Sequence, residues 1–279
     1  MMGFGASPAF YISASGPGFN VTDIAAAIPR AAALGLTALQ LEVYRPEAVK
    51  EWTASAVAEI TSRLDGEGLE PSQWVAHFAL SDFTSLATLS RPRHDAGFAA
   101  FLDIAAAFPS CEVLTLPIPE FDPVGVLSAA RLAGARAALV ELIGRRLEAA
   151  AAAGKRLALE ILPGSLVGGT EGFLRLREEA GLETLAYNFD VGHAWARKER
   201  VELIPAALGE ALAGTHLCDN FGKENRKRRP GAGSVDWESL VSALVAAGYE
   251  GSLDLEIICE PEAVDREYRE GKEALAAAG

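Results

Sequence analysis

The stretch "AAGKRLALE" (Ala152–Glu160) joins an Ala-rich segment to an alternating apolar run through a glycine and two basic residues. The same phrase recurs in "EAGLETLAYNFD" (Glu179–Asp190) and in "AAGYEGSLDLE" (Ala246–Glu256). A helix, a glycine that stops it, a few polar residues and a strand describe one αβ join. Working outward, β-rich runs occur at "AFYISAS" (9–15), "ALQLEVY" (38–44), "SQWVAHF" (72–78), "EVLTLPI" (112–118), "RLALEIL" (156–162), "TLAYNFD" (184–190), "GTHLCDN" (214–220) and "SLDLEII" (252–258). Segments with helical spacing separate them: Thr22–Leu34, Glu47–Leu64, Ala96–Ala107, Val124–Ala153, Glu171–Ala180, Val201–Leu212, Trp237–Ala247 and Pro261–Ala278.

Eight strand–helix units in 279 residues, with no Ser/Pro-rich linker, predict a single (β/α)8 TIM barrel over residues 1–279. A doubly wound open sheet is the competing architecture. "SASGPGFN" (Ser13–Asn20) holds GPG but lacks the third glycine of a dinucleotide-binding turn.

Composition narrows the function. The net charge is −13, from 38 acids against 25 bases. That balance disfavours nucleic acid and anionic membrane and suits a small neutral ligand or a cation. The three cysteines (Cys111, Cys218, Cys259) are odd in number and form no CxxC pair. A reduced, cytoplasmic protein is the expectation. Neither a signal-peptide pattern nor an apolar run long enough to span a bilayer stands out.

In a TIM barrel, polar groups at the C-terminal ends of the strands converge on one pocket. In "RLALEIL", Leu157, Leu159 and Ile161 share one face while Glu160 sits on the other, beside Ala158. Asp190 ends strand six. His216 and Cys218 oppose Leu217 on strand seven. Asp254 and Glu256 point inward from strand eight. Taken singly, each has a plain structural role: Glu160 in an ion pair, Asp190 as a turn or helix cap, His216 as a hydrogen-bonded core residue. Together, Glu160, Asp190, His216 and Glu256 at similar depth on four successive strands make a hard, oxygen-rich ligand set. It suits one divalent metal ion, Mn²⁺, Mg²⁺ or Co²⁺, with Zn²⁺ also compatible.

His193 lies three residues beyond Asp190 and faces the same pocket. His77 on strand three either lines that pocket or fills the barrel. Trp195 and Phe78 either wall it or pack the core. His94 is expected at an exposed helix start, and Trp237 at the start of the seventh helix. The loop Gly222–Trp237 carries the one dense basic cluster, Lys223, Arg226, Lys227, Arg228 and Arg229. At the pocket rim it could hold a phosphate or carboxylate, with Arg228 the candidate contact, or close as a lid.

"LALEIL", "NFDVGHAW", "THLCDN", "RPGAGSVDW" and "LDLEII" together resemble the xylose isomerase-like TIM-barrel superfamily of sugar (phosphate) isomerases and epimerases, inosose dehydratase and endonuclease IV-type nucleases. The resemblance spans nearly the whole chain and is densest from Gly154 to Glu256. It implies that Glu160, Asp190, His216 and Glu256 hold one metal and that His193 contacts a substrate oxygen. It also implies a carbohydrate substrate, and a homo-oligomer is compatible with it. The trinuclear nuclease branch needs further ligands where this chain reads "TLPIP" and "NRKRRPG". A glutamate common in relatives is Ala232 here, between Gly231 and Gly233. The implied chemistry is proton transfer beside a carbonyl through an enediolate, with Glu160 and Glu256 as the acid/base pair. Dehydration of a polyol ketone on the same site is the alternative reaction, and a non-enzymatic sugar-binding barrel is the alternative role.

Overall fold

The computed structural model describes residues 2–279. The elements run β1 (Phe4–Ala6), α1 (Ala9–Ser15), α2 (Val21–Ala33), β2 (Ala38–Glu42), α3 (Ala54–Glu67), β3 (Glu70–Val75), α4 (Leu86–Ser90), α5 (Asp95–Ala106), β4 (Val113–Ile118), α6 (Ala129–Ala152) and β5 (Arg156–Ile161). They continue with α7 (Thr170–Glu179), β6 (Ala186–Asp190), α8 (Val191–Ala196), α9 (Ile204–Leu208), β7 (Leu212–His216), α10 (Trp237–Ala246), β8 (Leu253–Leu255) and α11 (Val264–Ala278). The strands form one parallel sheet in the order β7-β6-β5-β4-β3-β2-β1-β8. Leu217 closes it into a barrel: its N–H donates to Asp254 O at 2.8 Å, and its carbonyl accepts from Glu256 N at 3.0 Å. The fold is the (β/α)8 barrel that the repeated αβ phrase predicts, and no doubly wound sheet forms.

The glycine in that phrase has one conformational job. Gly35, Gly68, Gly154, Gly181 and Gly248 all have φ between +64° and +72°, the left-handed region where a side chain is costly. Each ends a helix and turns the chain back toward the barrel. Several helix starts carry side-chain caps, among them α2, α3, α6 and α10. Asn20 Oδ1 accepts from Thr22 N at 2.8 Å, and Asp23 Oδ2 accepts from Asn20 N at 2.9 Å, a capping box at α2.

Side-chain alternation separates two environments. Leu39, Leu41, Leu114, Leu116, Leu157, Leu159 and Phe189 face outward into the helix layer and are fully buried. The barrel interior is polar: Gln40, Gln73, Thr115, Asn188, Thr215 and Asp254 are buried too. Such groups are stable there only when hydrogen-bonded. Gln73 Nε2 donates to Asn188 Oδ1 at 3.1 Å, and Thr115 Oγ1 donates to Gln73 Oε1. Gly214 looks like a helix–strand junction in the sequence. It lies inside β7, where a Cβ would collide with Gln73 and Asn188.

Three segments differ from the sequence pattern. "AFYISAS" (9–15) is the helix α1 and not a strand. Pro8 precedes it in helical conformation, and Phe10 and Tyr11 bury their rings. The first strand is instead Phe4–Ala6, too short and Gly-containing to show periodicity, and it exists through pairing with β2 and β8. Glu47–Leu64 divides into a 3-10 turn (Pro46–Glu51) and α3, because Trp52 turns in to meet Trp74 and Thr53 caps the next helix. Val201–Leu212 breaks into short pieces around Pro205 and Gly209. Among the described residues no helix is long and apolar enough to cross a membrane.

Candidate metal centre

Glu160 projects from β5, Asp190 and His216 end β6 and β7, and Glu256 follows β8 by one residue. All four are buried, and each offers a ligand atom within 4.8 Å of the others. Asp190 serves both roles its sequence position allows. Its Oδ1 caps α8 by accepting from His193 N at 2.7 Å. Its Oδ2 is buried without a hydrogen bond, as is His216 Nδ1. His216 Nδ1 lies 3.3 Å from Glu160 Oε1 and 3.5 Å from Glu256 Oε1. Two orphaned ligand atoms among converging carboxylates fit a divalent cation, which would satisfy both and offset the repulsion among the acids.

Burial and mutual charge shift the ionisable groups of the cluster. Burial lifts the Glu256 carboxyl to about 7 against the pull of Lys227 and His216. Burial pulls the His216 imidazole down, but the charges of Glu256 and Glu160 outweigh it and raise it to about 9. Burial also opposes ionisation of Asp190, yet His193, Lys227 and His216 hold it well below the usual carboxylate range.

The ring of His193 is set by the loop after β7. Asn225 Nδ2 donates to His193 Nδ1 at 3.2 Å, and Lys227 N donates to Asn225 Oδ1 at 3.1 Å, which orients the amide. The His193 proton therefore sits on Nε2, 3.2 Å from Asp190 Oδ2 and 3.8 Å from Glu160 Oε1.

Beside the cluster lies a cavity of about 230 Å³. Glu160, His193, His216 and Glu256 line one side, and Pro8, Ala9, Ile12, Leu162 and Ile258 form an apolar wall. His77 lines it too, though not from a strand. β3 ends at Val75, His77 opens a 3-10 turn, and its ring stacks on Tyr44 with centroids 4.3 Å apart. Phe78 packs in the core against Phe101, and His94 starts α5 with its ring bonded to Ser81 Oγ at 2.9 Å. Trp237 opens α10, its Nε1 donating to Asp219 Oδ2 at 2.9 Å.

Trp195 and Arg228 are not among the cavity-lining residues. Trp195 Nε1 donates to Ser234 Oγ at 3.2 Å. Arg228 lies over the exposed ring of Phe221, its backbone paired with Asp219. Arg226 pairs with Glu224, and Arg229 with Glu267 and Glu270. The basic side chain that enters the cavity is Lys227, from a backbone with φ +47°. Its ammonium pairs with Glu256 and lies 3.6 Å from Asp190 Oδ2.

Glu42, at the end of β2, is a third carboxylate on the cavity beside Glu160 and Glu256, buried with Oε2 unpartnered. Burial and then the Glu160 charge hold its carboxyl well above the usual range. The signal for it was present in "ALQLEVY". Gln40 and Glu42 interrupt the apolar run on alternate positions, the same pattern that marks Glu160. A larger groove of about 470 Å³ lies between α6 and α7, lined by Arg136, Val140, Leu176 and Glu179, and holds none of the four clustered ligands.

Comparison with known proteins agrees with this geometry. The family model described as xylose isomerase-like TIM barrel matches residues 28–278. A D-tagatose 3-epimerase-like protein superposes with a TM-score of 0.78 at 17% identity, covering 99% of this chain and 97% of that one. D-psicose 3-epimerase from Clostridium cellulolyticum H10, solved with D-tagatose, gives 0.75 at 16% identity and 99% of both chains. The IolI protein, solved with a zinc atom, gives 0.70 at 15% identity, covering 99% of this chain and 95% of that one. No curated protein matches the sequence.

Proposed function

The chain belongs to the xylose isomerase-like TIM-barrel family, and from that premise we propose that it is a divalent-metal-dependent isomerase or epimerase of a sugar or sugar phosphate. The observation that carries this reading is the cluster of Glu160, Asp190, His216 and Glu256, with its two orphaned atoms, set against a cavity of about 230 Å³. Solved structures of similar fold include ketose 3-epimerases, which supports a hydroxyketone substrate.

Glu160, Asp190, Glu256 and His216 through Nδ1 would hold the ion. A bound divalent cation supplies positive charge next to the carbonyl oxygen, which favours loss of the neighbouring carbon-bound proton. Glu160 and Glu256 reach the cavity from β5 and from beyond β8, so one removes that proton and the other returns it. The His193 Nε2–H donates to the oxygen on which charge develops. The apolar wall of Pro8, Ile12 and Ile258 receives the C–H face of a sugar, while Glu42, His77 and Lys227 meet its hydroxyls. A chain of net charge −13 suits such a small partner better than nucleic acid.

The test is solvent exchange. Protein loaded with Mn²⁺ or Co²⁺ is incubated in D₂O with ketopentoses, ketohexoses and their phosphates, and deuterium at the carbon beside the carbonyl is read by NMR. Turnover should fall by about 10²–10⁴-fold in both Glu160→Gln and Glu256→Gln. No exchange into any sugar of the panel sinks the proposal. A new unsaturated carbonyl absorbance instead redirects it to dehydration.

A further inference from the structure

The ligating face of His216 is set from inside the barrel. His216 Nε2 lies 2.9 Å from Gln40 Oε1, within hydrogen-bond distance. Gln40 Nε2 in turn donates to Asp254 Oδ2 at 2.7 Å. Asp254 also accepts from Ser72 Oγ at 2.8 Å and from Ser252 Oγ at 2.5 Å. Gln40 and Asp254 are completely buried, and the Gln40 backbone is anchored by the Tyr11 hydroxyl, which donates to its carbonyl at 2.8 Å. Gly5 on β1 leaves the room this requires, since a Cβ there would collide with the Asp254 carboxylate.

An amide has one donor end and one acceptor end. Asp254, already accepting from two serines, presents an oxygen to Gln40 and so takes the NH₂ end. The carbonyl end must then face His216, where it accepts a proton from Nε2. A neutral imidazole with its proton on Nε2 has its lone pair on Nδ1, the atom that lies among the carboxylates without a hydrogen bond.

We propose that Gln40 and Asp254 are positioning residues that fix His216 in the Nε2–H tautomer and so present Nδ1 to the metal. This role rests on the metal-centre reading above. Neither residue touches the cation or substrate; they act through His216 by geometry.

Chelator-stripped protein is titrated with Mn²⁺ or Co²⁺ by calorimetry, with thermal melts to check the fold. Gln40→Met keeps the length of the side chain and removes the acceptor. It should weaken binding by about 10–100-fold, the usual loss for an outer-shell partner. The double variant Q40E/D254N exchanges the donor and acceptor ends and should return binding to within about threefold of wild type. In Zn²⁺-loaded, ¹⁵N-labelled protein the His216 Nε2–H should exchange slowly, and quickly after Gln40→Met, with His193 unchanged. Tight wild-type binding that Gln40→Met leaves within about twofold overturns the role of Gln40 alone. A wild type that binds neither cation overturns the metal centre, and this role with it. Should Gln40→Met not fold, the double variant decides: wild-type affinity supports the inference, and a loss of more than about tenfold overturns it.

Discussion

His216 and His193 stand in the same cluster and are prepared for opposite tasks by the same kind of group. On the barrel side, the carbonyl end of Gln40 faces His216 Nε2, and Nδ1 is left facing the carboxylates of Glu160 and Glu256. On the rim side, the NH₂ end of Asn225 donates to His193 Nδ1 and leaves the proton on Nε2. In the proposed reading one ring serves as a ligand and the other as a donor. What differs is what orients each amide: a carboxylate, Asp254, for Gln40, and a backbone N–H, Lys227 N, for Asn225. The role of a histidine is thus decided one residue further out than its own contacts.

The most severe way to break this pairing is to remove each ring. His216→Ala should cost more than the roughly 10–100-fold of an outer-shell loss in cation affinity, measured by calorimetry. His193→Ala should leave that affinity within a few-fold while turnover falls by about 10²–10³-fold, the usual cost of a lost oxyanion donor. Equal effects of the two variants on cation binding would erase the distinction.

The pH dependence sharpens it. Against burial, the charges of Glu256 and Glu160 raise His216 to about 9, and burial raises Glu256 to about 7, above their ordinary 6.5 and 4.5. The folded state therefore holds both protons more tightly than the unfolded chain does. The stability this contributes is full below 4.5 for Glu256 and below 6.5 for His216. It is lost as pH rises through about 7 and then about 9. An entering cation must displace the same protons. Affinity should thus rise with pH, with about two protons released per ion below pH 7 and about one between 7 and 9. Calorimetry in buffers of different ionisation heat counts them, and an affinity independent of pH contradicts the expectation.

The mildest change is Asn225→Leu. It deletes the hydrogen bond to His193 Nδ1 together with the contacts of the same amide to Lys227 N, Cys218 Sγ and Asp190 Oδ1, each worth about 1 kcal/mol, or roughly fivefold. The loss should appear chiefly in turnover, with cation affinity falling less than after Gln40→Met, since the contact of Asn225 with Asp190 Oδ1 is long, 3.5 Å. A parallel loss of cation affinity would place Asn225 with Gln40.

The barrel was legible because its local grammar repeats: the helix–glycine–strand phrase needs a left-handed residue at every return, and only glycine adopts it cheaply. The metal cluster was legible for a related reason. Strand alternation fixes which side chains face inward, so Glu160, His216 and Glu256 declare themselves by interrupting apolar runs. The same rule applied to strand two would have found Gln40 and Glu42. The error in "AFYISAS" has the opposite origin, since aromatic and β-branched residues favour strands only when a pairing edge is available, and the edge was taken by Phe4–Ala6.

Sequence alone determined the architecture and the convergence of Glu160, Asp190, His216 and Glu256, because both follow from periodicities a few residues long. Tertiary structure decided which basic residue enters the cavity. Lys227 does and Arg228 does not, because adjacent side chains point in different directions and a loop backbone with φ +47° obeys no strand or helix period. It also decided the two tautomers. Those depend on hydrogen bonds from Gln40 to His216, 176 residues apart, and from Asn225 to His193, 32 apart, contacts that no local pattern encodes.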